Sequence, residues 1–409
     1  MRRRSRELIA LDDRGPLRVM FLITSMPVGG AETLLVNLIR RLDRERFQPS
    51  LCCLKAPGPL GEALAAEVPV ISDLIAHKYD VRIAPRLARI MSRRRIDAIV
   101  TVGAGDKMFW GRIAARWAQV PVVLSAIHST GWPDGIGPLN RSRILTRWTD
   151  GFIAVASAHA DHLADVEGFP RSKVQMIPNG IDTERFAPAD GRQVRRALGL
   201  EPGAPVAGIV AALRPEKNHE LFLRAAARVR QEVPAARFLI VGDGPLRGRL
   251  EELARELKIS DAVQFLGTRT DVPQLLSALD VFVLTSRIEA NPVSILEAMA
   301  MAKPVIAPRV GSIAESVIDG ESGFLTDQGD LDQAARRLTE VMGDPERARQ
   351  LGERARALAV ERWSLEQMVS GYERLIERIY REKSRRTTSP KIADSAVSQP
   401  PVTGAPAQP

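Results

Sequence analysis

Two carboxylates with seven residues between them, Glu289 and Glu297, sit in T-S-R-I-E-A-N-P-V-S-I-L-E-A-M-A-M-A-K-P-V-I-A-P-R-V-G, residues 285–311. Neither has an evident ion-pair partner in the surrounding residues. Taken alone they would be a loop charge and a solvated helix charge. They follow the apolar run Val281–Leu284, however, and ligands of parallel sheets gather beyond the carboxyl ends of the strands, where helix N-termini offer free N–H groups to anions. Arg214 and Lys217 come after another such run, Val206–Ala211, where two cations can neutralise a diphosphate. His128 follows the run Val122–Ala126, and a lone histidine there is more often structural than functional. His159 and His162 form H-x-x-H without a third ligand nearby, so no metal is expected from them.

These groups need elements to hold them. Asn291 suits a helix N-cap and Pro292 the first helical position, so the sequence predicts a helix over about 292–301, ended by Lys303-Pro304 and followed by the strand Val305–Ala307. Near the N-terminus, the run Val19–Ile23, the T-S-M-P-V-G-G-A-E loop and the periodic Leu34, Leu35, Leu38, Ile39, Leu42 read as strand, glycine turn and helix. Gly29 and Gly30 there permit close approach of a ligand, with Glu32 the polar group beside them. Apolar runs recur at Phe47–Leu54, Val68–Ile71, Ala98–Val102 and Phe152–Ala156, spaced by helix-length segments, which predicts an α/β chain with parallel sheets. The run ending in Gly242-Asp243-Gly244, with Pro245 at helix position N1, resembles a dinucleotide turn, but the third glycine is misplaced and no acidic ribose ligand follows. Asp330-Leu331-Asp332 is formally D-x-D, yet Asp330 is more simply the N-cap of a helix over 331–342.

At 409 residues the chain fits two domains and a tail. The predicted division is a first Rossmann-like domain over 1–184, a second over 185–363, a C-terminal helix over 364–382, and disorder over 383–409, where Ser, Thr, Pro and Ala run without periodicity. Cys52 and Cys53 are adjacent, which disfavours a bridge and points to a reducing, cytoplasmic setting. The basic leader has no apolar h-region, and no run reaches the length of a membrane span. Net charge is +9, and residues 1–185 hold 27 Lys/Arg against 19 Asp/Glu, leaving 31 against 30 beyond, so the first half is expected to meet something anionic. Within it, Ile83, Leu87, Ile90 and Met91 mark one helix face and Arg82, Arg86, Arg89, Arg93 and Arg94 the rest, a pattern compatible with an acidic lipid surface as well as with a solvated one.

The 289–307 stretch resembles the E-x7-E signature of retaining glycosyltransferases of the GT-B architecture, family four, and the likeness extends over about residues 18–381 through G-G-A-E, the P-N-G-I-D segment at 178–182, R-P-E-K-N at 214–218 and G-D-G-P at 242–245. The resemblance implies two Rossmann-like domains facing each other across a cleft, with Asn179, Gly180 and Asp182 at the hinge above it. It implies a nucleoside-diphosphate sugar as donor, UDP ahead of GDP, and no cofactor or metal. Glu297 would hold the ribose, and Glu289 the transferred sugar with help from the N–H groups of Ala290 and Asn291. His128 would contact that sugar, and Arg214 and Lys217 would hold the pyrophosphate. Gly242, Gly244, Gly267, Asn291 and Val293 would line the nucleotide side, and Gly29, Gly30 and Glu32 the acceptor side. The acceptor would be lipid-linked or a glycan, as in bacterial surface polysaccharide assembly, at the inner face of the cytoplasmic membrane; no nucleic-acid partner is expected. A nucleotide-sugar epimerase or a silent sugar-nucleotide-binding scaffold would share the architecture. The family commonly has glycine where this chain has Ala290 and Ala302.

Overall fold

The computed structural model describes residues 8–75, 77, 80–103, 105–128 and 145–388. The leader through Glu7 and the Ser/Thr/Pro/Ala stretch from residue 389 lie outside the described residues.

Short runs rich in Val, Ile and Leu, apolar on both faces, belong in parallel sheets covered by helices, and two such sheets form. The first contains β1 (Leu17–Ile23), β2 (Phe47–Cys53), β3 (Val70–Ile71), β4 (Ala98–Val102), β5 (Val122–Ala126), β6 (Gly151–Ala154) and β7 (Val174–Met176), in the order β3-β2-β1-β4-β5-β6-β7. The second contains β8 (Val206–Val210), β9 (Arg237–Val241), β10 (Val263–Gly267), β11 (Val281–Val283), β12 (Val305–Pro308) and β13 (Gly323–Thr326), ordered β10-β9-β8-β11-β12-β13. Every neighbouring pair is parallel. Strand order reverses at β1/β4 and at β8/β11, the places where such sheets open a crevice for ligands.

The helices used below are α1 (Gly30–Arg41), α2 (Ile83–Arg93), α3 (Asp106–Ala118), α4 (Ser157–Asp161), α5 (His219–Glu232), α6 (Val293–Ala300), α7 (Ile313–Ser316) and α8 (Leu365–Thr388). In α2 the apolar stripe is turned inward, with Ile83, Leu87 and Met91 buried, while Arg82, Arg89, Arg93 and Arg94 are exposed. Helix α8 belongs by sequence to the end of the chain and by packing to its beginning. Its Leu365, Met368, Tyr372, Leu375, Ile376 and Tyr380 join Val19, Phe21, Leu35 and Ile39 in one buried cluster. The second domain has its own cluster, built on Phe222, Phe238, Phe282, Ile295 and Met299. The chain passes between domains side by side with its own return: Ile181 donates its N–H to the Trp363 carbonyl at 2.7 Å, and Leu365 N–H to that of Ile181 at 3.1 Å.

Two boundary expectations are corrected. Residues 383–388, expected to lack structure, are helical: α8 continues to Thr388, because Lys383 Nζ reaches the Pro121 carbonyl (2.7 Å) and Asp150 (2.5 Å), and Ser384 is buried. Tertiary anchoring outweighs the polar composition. The helix after Gly244 starts at Arg247 rather than Pro245. Asp330 does cap its helix, its carboxylate accepting from Gln333 N–H at 2.9 Å.

Candidate active site

Between the two sheets, at the carboxyl ends of their strands, lies a cleft of about 370 Å³. The first domain contributes the glycine turn after β1 with the start of α1, and His128 beyond β5. Asn179 of the connecting segment stands at its edge. The second domain contributes Lys217, Gly242, Glu289, Asn291, Val293 and Glu297. The acidic pair is thus brought to one cavity with a cation and with the first domain's turn against it. Gly30 packs beside Val293, where an added Cβ would already be in tight contact at 3.4 Å.

Glu289 does have a partner. Lys217 Nζ donates to its Oε1 at 2.6 Å, and the carboxylate is only 8% exposed. The lysine is held in turn: Pro215–Lys217 form one 3-10 turn, closed by Asn218 in the left-handed region, and the Thr285 hydroxyl lies 3.1 Å and 3.0 Å from the Lys217 and Asn218 carbonyls. Arg287 N–H donates to Glu216 O at 2.7 Å and ties the Glu289 loop to that turn. Below the loop, Gly311 has φ +55°, and a Cβ there would come within 1.7 Å of the Glu289 carbonyl oxygen. Only glycine lets the loop lie this low. The Ser312 hydroxyl donates to the Ala290 carbonyl, completing the cradle.

Asn291 is not the helix cap expected of it. Its Nδ2 faces Ser312 Oγ at 3.2 Å, and its backbone O and Oδ1 accept from Asn179 Nδ2 at 3.0 and 3.2 Å. With that side chain engaged and Pro292 extended (φ −72°, ψ 115°), α6 begins at Val293 without a side-chain cap among the described residues. Pro292, Val293 and Ser294 line the cleft, so the N–H end of α6 and its partial positive charge are left for a ligand anion.

The titrating groups are displaced by their surroundings. Glu297 keeps an open edge on the cleft but is otherwise enclosed by protein, and this burial pushes its carboxyl up to about 7, with Arg185 pulling the other way. His128 is pushed down to about 4, first by burial and then by the charges of His159 and Lys107, so it is neutral at pH 7. Burial raises Glu32 as well, opposed by Lys107 and Arg214. His159 is buried, with Nδ1 accepting from Val155 N–H at 3.2 Å, which leaves the H-x-x-H a packing feature. Among the described residues no group of three or more His, Cys, Asp or Glu is placed to hold a metal ion.

Residues 28–185 match the model for Glycosyltransferase Family 4, and residues 190–358 that for Glycosyl transferases group 1. The UDP-Gal:alpha-D-GlcNAc-diphosphoundecaprenol alpha-1,3-galactosyltransferase of Escherichia coli is 30% identical over 338 residues, which span 78% of this chain and 86% of that protein. The chain belongs to glycosyltransferase family 4. The N-acetyl-alpha-D-glucosaminyl L-malate synthase of Bacillus anthracis is 28% identical to this glycosyltransferase over 310 residues, 74% of this chain and 80% of the relative. Among solved structures, Anabaena HepE in complex with UDP and glucose superposes with a TM-score of 0.80 at 23% identity, covering 88% of this chain and all of HepE. That likeness identifies the fold as GT-B.

Not every residue singled out from the sequence lies on the cleft wall of the glycosyltransferase. Gly244 packs flat on Leu213, whose carbonyl oxygen would be 2.6 Å from a Cβ, and Gly267 accepts from Gly242 N–H at 2.8 Å; the cleft is lined instead by Gly242, Asp243 and Thr268. Arg214 is exposed on the side of Glu32, outside the lining. Ala290 is buried and needs no positive φ, so its Cβ is accommodated. Ala302 does sit at φ +56°, but beyond the far end of α6. Sequence reasoning missed Lys107, whose charge acts on both His128 and Glu32. Its position in the first turn of α3, after β4, was the available signal.

Proposed function

We propose that this glycosyltransferase moves a sugar from a UDP-sugar to a hydroxyl of a lipid-linked or glycan acceptor, with retention of anomeric configuration and without a metal ion. The observation that carries the reading is the opening of Glu289 and Glu297 onto one cleft with Lys217 and an uncapped helix start. Glu297 takes the ribose hydroxyls and Glu289 those of the transferred sugar. Lys217 and the N–H end of α6 meet the diphosphate and the charge that grows on it. The bond from the anomeric carbon to the phosphate oxygen breaks while the acceptor oxygen bonds on the same face, and the acceptor proton passes to the leaving phosphate. A strong base is then unnecessary, which fits a neutral His128 serving as a sugar contact.

UDP is favoured over GDP because the Escherichia coli relative is named for UDP-Gal and HepE was solved with UDP, although a Mycolicibacterium smegmatis relative is GDP-mannose-dependent. For the acceptor, the basic face of α2 offers an approach to anionic lipid, with Val81 (65% exposed) and Trp117 (47%) beside Arg82 and Arg89. Among the described residues no helix is long and apolar enough to cross a membrane, so contact would be peripheral, at the inner face. A thermal-shift screen of UDP- and GDP-sugars tests the donor, and flotation with acidic vesicles at low salt tests the surface. With the donor found, Glu297→Ala raises its KM and Glu289→Ala lowers kcat, each about ten- to a hundredfold. Normal kinetics in both variants would overturn the assignment.

A further inference from the structure

The segment Ser312–Ser316 faces two ways. Toward the second domain, Ser312 holds the Ala290 carbonyl and the Asn291 side chain, which places the loop that carries Glu289. Toward the first domain, Glu315 Oε2 accepts from Ser157 N–H at 2.9 Å and Oε1 from Ala158 N–H at 2.6 Å. Those amides open α4 just beyond β6, and α4 has no side-chain cap of its own among the described residues. One carboxylate therefore uses both oxygens to join two domains. On the first-domain side, α4 carries His159, which acts on His128 in the cleft. On the second-domain side, Glu315 is three residues from Ser312, the N-cap of α7, and Ser312 adjoins Gly311, the glycine under Glu289.

We propose that Glu315 is a positioning residue: by capping α4 across the domain boundary it couples closure of the cleft to alignment of the Glu289 loop with His128. The kinetic part of this rests on the transferase reading above; the conformational part does not. Donor binds chiefly to the second domain, so loss of the clasp leaves donor KM nearly unchanged and is felt at the step that needs both domains.

The clasp can be cut from either side. Glu315→Gln removes the charge, and Ser157→Pro removes one N–H at a first-turn position that tolerates proline, after an Ala156 already extended (φ −164°, ψ 166°). Each variant is expected to lose about tenfold in kcat at saturating donor and acceptor, the scale of one charge-assisted hydrogen bond, with donor KM within about twofold of wild type. The double variant should be no worse than the poorer single, because both changes break one contact. Spin labels at exposed Glu45 and Gln350 should report one short interdomain distance in the wild type with UDP and a longer, broader distribution in either variant. Unchanged kcat with an unchanged distance, or a double loss equal to the product of the single losses, overturns the proposal. A wild type that transfers no sugar refutes the functional reading, while the distances still decide the clasp.

Discussion

Replacing Glu297 with glutamine should make the free protein more stable, and only at high pH. The carboxyl is lifted from its ordinary 4.5 to about 7 by burial. At about 1.4 kcal/mol per pKa unit, holding the charged form inside the fold costs ~3 kcal/mol. The edge open to the cleft lets water relieve part of this, which leaves about 2 kcal/mol. A raised carboxyl destabilises the fold when ionised, so the cost is fully present above pH 7 and absent below pH 4.5, where both states bind the proton. Glu297→Gln should therefore raise the unfolding midpoint at pH 8.5 by roughly 4–8 °C, taking about 2–4 °C per kcal/mol for a domain of this size. At pH 4.5 wild type and variant should coincide. The assay is thermal or urea unfolding of both proteins over pH 4.5–9 without ligand. A gap that stays constant with pH, or a variant less stable than wild type at pH 8.5, would refute the burial argument. The same substitution should weaken donor binding, so stability and function pull this position in opposite directions.

Lys217→Met leaves the Glu289 carboxylate buried without its 2.6 Å partner, and should cost about 1–3 kcal/mol in urea unfolding at pH 8, most of it restored by adding Glu289→Gln. Gly311→Ala meets both the positive φ and the Glu289 carbonyl; it should lower stability by more than about 2 kcal/mol and kcat by more than about tenfold, seen in unfolding and steady-state rates. Ala302→Gly relieves a left-handed alanine at φ +56° far from the cleft, and should add about 0.5–1 kcal/mol with unchanged kinetics.

What could be read from the residues alone was whatever is local along the chain. Each apolar run gives its strand, each strand end gives its loop, and Glu289, Glu297, Lys217, His128 and the Gly29-Gly30 turn lie at such ends. The likeness to family 4 added the way these ends meet. Pairings between distant residues were not legible. Lys217 and Glu289 are 72 positions apart, Asn179 and Asn291 are 112, and Ser157 and Glu315 are 158. No periodicity encodes such contacts. Asn291 shows how local rules fail at a site: its type and place fit an N-cap, but three polar neighbours from other elements compete for the side chain and win. The extension of α8 past Glu382 has the same origin, since Pro121 and Asp150, which anchor Lys383, lie at the other end of the sequence.

The return of α8 onto the first sheet has a consequence for how the molecule comes into being. Residues 17–177 leave the ribosome long before residues 365–380, yet both contribute to one apolar cluster. Until synthesis is nearly complete, the flank of the first sheet that will receive Met368, Tyr372 and Ile376 must stay uncovered, a surface suited to chaperones or to aggregation. A nonsense mutation after the second sheet would strand that flank permanently, although every residue of the cleft had been made. Anyone isolating the amino-terminal half would do best to graft the closing helix back onto it.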